Sequence, residues 1–184
     1  MKQILLIIIS LLLFTSCEYY KRKSNIENTI EKLYGKEVIV PDSLKLFYSD
    51  NYIKKSRDFN IQIISCIDGN CSECARDLNL WKDFISQHEM SNEVNFNFYI
   101  YSNSYFDLEQ YFNKKKFTFP FIKDSKSKFI KQNCLPADKA YHTFLTVNNK
   151  IVLLGNPMRN ERLKEIYLKT INKELFGNEI VCSQ

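Results

Sequence analysis

The sequence is poor in the residues that most metal sites require. It contains only two histidines, His88 and His142, among 184 residues. One CxxC pair is present, Cys71 with Cys74, whereas zinc sites commonly use two such pairs or a pair with histidines. Neither histidine directly follows Cys74, as covalent haem attachment requires. We therefore expect no metal site and no cofactor.

Charge and repeats also exclude several classes of protein. The chain carries a net charge of +5 with a pI of about 8.8. Its basic residues form two separate clusters, Tyr20 to Lys23 and Lys114 to Lys116, whereas a nucleic-acid footprint requires a pI above about 9 and one concentrated patch. There is no internal repeat and no low-complexity tract. We expect no nucleic-acid partner.

The longest apolar run lies at the N-terminus, after Lys2, and extends from Ile4 to Phe14 with one interruption at Ser10. At ~1.5 Å per residue this run covers roughly half of a ~30 Å hydrocarbon core, so it predicts an export signal rather than a transmembrane helix. The small residues that precede Cys17 resemble the lipobox of bacterial lipoproteins, although Phe14 stands where that box usually has leucine. The resemblance implies cleavage before Cys17 and lipidation of Cys17. The alternative is ordinary cleavage that leaves a free Cys17.

These features predict three segments. Residues 1–16 form the signal peptide, residues 17–58 form a polar membrane tether with an N-terminal extension, and residues 59–184 form one domain. The lipid anchor places the protein in the bacterial cell envelope, on a membrane and facing the periplasm. Disulfides can persist there, and five cysteines remain besides the lipidated Cys17. Because five is odd, at least one thiol is free or pairs with another molecule.

Hydrophobic periodicity predicts an alternation of strands and helices from Phe59 onward. Before that point, Ile26 to Tyr34 is a candidate helix and Glu37 to Val40 a candidate strand. The later elements are strands at Phe59–Ile67, Val94–Tyr101, Thr143–Val147 and Lys150–Leu154, extended structure at Phe119–Ile122, and helices at Cys71–Gln87, Asp107–Lys115, Ser125–Gln132 and Asn160–Phe176. We expect Ser104 to cap the second long helix and Asn148-Asn149 to form a hairpin turn with positive φ.

The segment Cys71-Ser72-Glu73-Cys74 follows an apolar run and opens a stretch with helical periodicity. Two thiols three residues apart at a helix start can lie within disulfide range, and the unpaired N–H groups of the first turn favour a thiolate at the first cysteine. We predict Cys71 as the nucleophile and Cys74 as the resolving thiol. From spacing alone, a metal pair or two structural cysteines are the alternatives.

This order of elements, with CxxC at the start of the first helix, resembles the thioredoxin fold, in particular exported thioredoxin-like lipoproteins of the Bacteroidetes type. The resemblance implies an α/β, three-layer sandwich with a central mixed sheet in the order βαβαββα, plus the N-terminal extension. It also implies that Cys71 attacks a substrate disulfide and Cys74 releases the mixed disulfide. It extends over residues 59–176 and is most specific at Ile67–Cys74 with Trp81 and at His142–Pro157.

The chain departs from the thioredoxin pattern at three positions. Thioredoxins usually have a cis-proline facing the dithiol, and the corresponding position is Tyr141 or His142 here. Asn70 replaces the tryptophan before the first cysteine, and Ser65 replaces an acid that many thioredoxins bury. His142 and Tyr141 are therefore candidate auxiliary residues, with a strand-edge histidine in an ordinary hydrogen bond as the alternative for His142.

Two charged residues near the dithiol are further candidates. Glu73, inside the motif, would raise the thiol pKa as a nearby like charge, whereas Arg76 would lower it. The combined prediction is a lipid-anchored thiol-disulfide oxidoreductase that acts on protein or small-molecule disulfides and exchanges electrons with an unidentified redox partner. Two alternatives stay open: a non-catalytic thioredoxin-like binding module with a structural disulfide, and a protein that handles a soft metal such as copper.

Overall fold

The computed structural model describes residues 20–44, 46–47, 59–88, 90 and 93–177. The predicted signal peptide, the predicted lipidation site Cys17 and Cys182 lie outside these ranges. The chain divides into two units after Tyr34. In the first unit, helix α1 spans residues 20–33 and begins earlier than the sequence predicted. Its first turn includes residues predicted as tether, and an ion pair between Lys23 and Glu27, at 3.8 Å, joins positions one turn apart.

The described part of the second unit is built on a mixed sheet of six strands. The strands are β1 (Leu46–Phe47), β2 (Ile61–Asp68), β3 (Asn95–Tyr101), β4 (Phe121–Lys123), β5 (Thr143–Val147) and β6 (Lys150–Leu154). Their spatial order is β1-β4-β3-β2-β5-β6, with β2, β3 and β4 parallel to one another and the remaining pairs antiparallel. This arrangement confirms the predicted α/β class with a central mixed sheet.

The second unit also contains four helices in its described part: α2 (Ser72–Gln87), α3 (Tyr105–Lys115), α4 (Lys128–Gln132) and α5 (Glu161–Phe176). The oxygen of Ser104 accepts the N–H of Asp107, which confirms the predicted cap of α3. Asn148 and Asn149 have φ of 49° and 63°, as the predicted hairpin turn requires. No described helix combines the length and the apolar character needed to cross a membrane.

Helices cover both faces of the sheet and give three layers. Side chains of α2, α3 and α5 share one buried cluster with β2 and β3, and Trp81 at its centre is fully buried against Phe96 and Phe98. The other face is covered by α4, where the Phe129 ring stacks on Tyr99 at 3.8 Å between centroids. Tyr99 of β3 is therefore buried on this second face of the sheet.

The predicted strand Glu37 to Val40 is wrong. One isolated bridge joins Glu37 to Lys150, and the Val38 N–H donates to the Asn149 carbonyl at 2.9 Å. The backbone of Ile39 binds the side chain of Asn133 instead, with the Ile39 N–H donating to Oδ1 at 2.8 Å and the Ile39 carbonyl accepting from Nδ2 at 2.7 Å. Because the side-chain amide uses both backbone groups of Ile39, no strand ladder continues along this segment.

Candidate active site

The turn between β2 and α2 places Cys71 at the N-cap of α2. The N–H of Asn70 donates to Oδ1 of Asp68 at 3.1 Å, which closes the turn locally. Gly69 passes so close to β3 that a Cβ added there would lie 3.0 Å from the carbonyl oxygen of Tyr101. A side chain at position 69 would therefore displace the turn that carries Cys71.

The sulfur of Cys71 accepts the backbone N–H of Cys74 at 3.4 Å. Hydrogen bonding to Cys74, through its side chain and then its backbone, lowers the pKa of Cys71, with further lowering from the Glu73 N–H and the Lys139 charge. Burial, followed by the hydrogen bond and charge of Cys71, raises the pKa of Cys74 to about 11. The two thiols of one motif therefore differ in acidity, and Cys71 is the one that ionises first.

Both cysteines open into a cavity of about 380 Å³ beside the N-terminus of α2. Lys139 lies on its wall and contacts Asp68, with Nζ 3.0 Å from Oδ2. Burial alone would raise the pKa of Asp68, but the Lys139 hydrogen bond and the Asn70 N–H outweigh it and hold that pKa below its usual range. The ammonium group lowers the pKa of both cysteines, so the charge of Lys139 acts on each sulfur.

A second ion pair lies on the wall formed by α2 and the turn after β6. Oδ2 of Asp77 accepts from Nε of Arg159 at 3.0 Å and from Nδ2 of Asn156 at 3.1 Å. Asp77 stands three residues after Cys74, on the same side of the helix. That spacing is the sequence signal that could have identified Asp77. Lys139 and Arg159 had no comparable signal, because each reaches its partner from a distant part of the chain.

The predicted auxiliary residues are distributed unequally around this cavity. Glu73 lines it, whereas His142, Tyr141 and Arg76 are not among the described residues of its wall. Nε2 of His142 lies 2.7 Å from the carbonyl oxygen of Pro136, and His142 lines a neighbouring cavity of about 120 Å³ that shares wall residues such as Asp68 and Lys139 with the first. This ordinary hydrogen bond corresponds to the alternative considered for His142.

At the position where thioredoxins have the cis-proline, the backbone N–H groups form hydrogen bonds within the chain. A 3-10 turn spans Lys139–Tyr141, so the Tyr141 N–H donates to Asp138 and the His142 N–H donates to Lys139. Within the described ranges there is no cis peptide bond. Ser65, which replaces the usual buried acid, pairs its hydroxyl with that of Thr143 at 2.8 Å. A neutral pair therefore occupies the place where many thioredoxins bury an acid.

The other two described cysteines lie outside the motif. Burial, with the charge of Asp124, strongly raises the pKa of the Cys66 thiol, so Cys66 is far less suited to attack than Cys71. Cys134 is an exposed free thiol. Among the described side chains, no group of three or more His, Cys, Asp or Glu residues is arranged to hold a metal ion.

Comparison with protein-family models and with curated proteins finds no match for this chain. Solved structures do match. A protein from Chlorobium tepidum, described as thiol:disulfide interchange protein DsbE, has a TM-score of 0.56 at 12% identity, over 75% of this chain and 97% of its own. The thioredoxin domain of a thiol-disulfide oxidoreductase from Bacteroides vulgatus has a TM-score of 0.52 at 10% identity, over 72% of this chain and 96% of its own. A thioredoxin-like protein in its oxidized form has a TM-score of 0.53 at 10% identity, over 77% of this chain and 97% of its own. The chain thus has a thioredoxin-like fold.

Proposed function

We propose that this protein is a thiol-disulfide oxidoreductase in which Cys71 attacks and Cys74 resolves. The observation that carries the proposal is the difference in acidity between two cysteines that share one cavity. Cys71 is the N-cap of α2 and accepts a backbone N–H, so its thiolate is stabilised where a substrate can reach it. Cys74 is one turn further in, with its pKa raised to about 11, and stays protonated until it is needed.

The exchange transfers two electrons in two steps. The Cys71 thiolate attacks one sulfur of a substrate disulfide, a Cys71–substrate bond forms as the substrate disulfide breaks, and the departing thiolate takes a proton from water. The sulfur of Cys74 then loses its proton to water and attacks Cys71. The substrate leaves as a second thiol and the Cys71–Cys74 pair is left as a disulfide. The same steps in reverse oxidise a substrate dithiol.

The second step becomes easier after the first. Burial is the largest cause that raises the pKa of Cys74, and the hydrogen bond and charge of Cys71 follow. When Cys71 is held in a mixed disulfide, its charge is gone, so burial and the charge of Asp68 still oppose ionisation of Cys74 while Lys139 favours it. The site therefore keeps the resolving thiol inactive until a substrate is attached.

The cellular setting belongs to the same proposal. The apolar run before Cys17 and the lipobox-like residues support export and lipidation, which would place the domain at a bacterial envelope membrane, facing the periplasm. Its partners would be protein or small-molecule disulfides and thiols, together with a second redox protein. The names of two structural neighbours, a thiol:disulfide interchange protein and a thiol-disulfide oxidoreductase, support the same activity.

One observation favours a second candidate function, a non-catalytic binding module with a structural disulfide. The backbone N–H groups of Tyr141 and His142 are used within the 3-10 turn, so they are not offered to a substrate strand. The reduction potential of the Cys71–Cys74 pair separates the two functions. A structural disulfide lies below about −300 mV, and a catalytic one lies well above that value.

The direct test is trapping of mixed disulfides. Cys74→Ser should accumulate mixed disulfides that reductant releases, because the attacking thiol remains and the resolving thiol is gone. Cys71→Ser should trap almost nothing, and Cys134→Ser, which removes another accessible thiol, should behave like the unmodified protein. Equal and negligible trapping by both motif variants, with no reaction of the native protein above the rate of a free thiol, would replace exchange by the binding module.

A further inference from the structure

Helix α1 presents an apolar stripe to its surroundings. Ile26, Ile30 and Tyr34 are four residues apart, and the Tyr34 N–H donates to the Ile30 carbonyl at 2.8 Å, so the helical turn continues to Tyr34. Their side chains are 41%, 41% and 63% exposed. Residues at this spacing lie one above another on a helix surface, so the three side chains form a continuous strip.

The charges of α1 are arranged around this strip. Lys21, Arg22 and Lys23 fill the first turn and are all exposed. The acidic residues Glu27 and Glu31 each follow one strip position by one residue and precede the next by three, so they border one side of the strip. The N-terminal end of the helix is basic, and the strip itself consists of the three apolar side chains.

We propose that α1 lies flat on the surface of an anionic phospholipid bilayer. Ile26, Ile30 and Tyr34 enter the boundary between headgroups and acyl chains, and the three basic side chains bind lipid phosphates. A helix with an apolar strip and cationic residues fits an anionic membrane surface because apolar burial and charge attraction act together. The proposal rests on the envelope location proposed above, and it changes the role of this segment from a spacer to a membrane contact.

The position of α1 in the chain supports this partner over another protein surface. The helix begins three residues after Cys17, the predicted lipid attachment site. A lipid at Cys17 would hold the basic first turn next to the headgroups, where attraction to anionic lipids is strongest. The strip and the anchor would then act as two membrane signals in one short segment.

The test measures vesicle binding without the lipid. The chain from residue 17 onward, carrying Cys17→Ser, is floated with vesicles of phosphatidylglycerol and phosphatidylethanolamine, and with vesicles of phosphatidylcholine alone. We expect the chain to bind the anionic vesicles. Its affinity for the neutral vesicles, and for the anionic vesicles at high salt, should be lower by roughly tenfold or more. Affinity for the anionic vesicles should fall by about tenfold or more in each of two variants. The first is the triple variant Lys21→Gln, Arg22→Gln, Lys23→Gln, and the second is the double variant Ile26→Ser, Ile30→Ser.

Two matched controls show whether the effect belongs to α1. Lys114→Gln, Lys115→Gln, Lys116→Gln removes the same charge from the end of α3, and Ile166→Ser removes an isoleucine of α5 that is 39% exposed. Both should bind like the parent chain. Absence of binding to anionic vesicles, or an equal loss in the controls, would overturn the proposal. The proposal would also be overturned if the double variant bound vesicles normally but had a lower mass in sedimentation than the parent chain, since the strip would then join two copies of the chain.

The outcome is independent of the thiol chemistry. Vesicle flotation does not use Cys71 or Cys74, so binding by a protein that fails to exchange disulfides would remove the proposed activity and leave the membrane contact. Normal disulfide exchange without vesicle binding would remove the membrane contact and leave the proposed activity. Circular dichroism of each variant, compared with the parent chain, confirms that the variants are folded, so a loss of binding reports the surface of α1.

Discussion

The backbone N–H of Cys74 points at the sulfur of Cys71 from 3.4 Å, so the resolving residue also stabilises the attacking one. A thiolate accepts this bond more strongly than a thiol, and the bond lies at the positive end of the α2 dipole. The acidity of Cys71 therefore depends on the first turn of α2 being formed. Four further properties follow from the site, its surroundings and the predicted anchor, and each can be measured.

The first is the pH dependence of alkylation. Because the folded pKa of Cys71 is lowered, its thiolate persists below the usual range for a thiol, and reactivity is lost only as the pH falls through that lowered value. While Cys71 is unmodified, Cys74 should react only as the pH approaches about 11. Rates of iodoacetamide labelling, read by mass spectrometry at each cysteine, check both statements. Equal labelling of the two thiols across neutral pH would contradict them.

The second concerns Lys139. Its charge lowers the pKa of Cys71, although less than hydrogen bonding to Cys74 does. Lys139→Gln should therefore raise the pKa of Cys71 slightly and slow its alkylation at neutral pH by roughly twofold, since an exposed charge is screened by solvent. Lys139→Arg should restore the rate, and the exposed Lys126→Gln should not alter it. An unchanged ultraviolet thiolate titration in Lys139→Gln would rule out this role.

The third concerns stability. Asp77 joins α2 to the turn after β6 by accepting from Arg159 and Asn156. Asp77→Ala should lower the free energy of unfolding by about 1–3 kcal/mol, because two donors lose a partly buried acceptor. The matched variant Glu161→Ala breaks an exposed pair with Lys164 and should cost at most about 0.5 kcal/mol. Urea unfolding gives both values, and a similar loss in the two variants would show that the Asp77 contacts are not stabilising.

The fourth concerns the predicted anchor. Expressed in a bacterial host, the native chain should separate into the detergent phase through lipid at Cys17, since even one acyl chain confers measurable membrane affinity. Cys17→Ser should leave the protein soluble or unprocessed. Mass spectrometry of the N-terminal peptide would identify the lipid. Recovery of the unmodified protein in the aqueous phase without detergent would argue against lipidation.

The main elements of the domain could be predicted because their signals are local. Alternating apolar residues predicted β2 and β3, helical spacing predicted α2, and two asparagines predicted the turn between β5 and β6. Each pattern reflects backbone geometry repeated over a few residues, so a single stretch of sequence contains it. For the same reason, the segment Cys71-Ser72-Glu73-Cys74 predicted a dithiol at a helix start, and the structure places it there.

Tertiary structure alone decided which charges surround that dithiol. Lys139 and Asp68 are 71 positions apart, and Arg159 and Asp77 are 82 apart, so no local pattern could join them. The sequence instead indicated Arg76 and His142, one near in sequence and one near the expected cis-proline position. Arg76 does not line the cavity, and His142 binds the Pro136 carbonyl. Chain periodicity specifies which elements form, but the packing of the sheet and its loops determines which side chains meet across it.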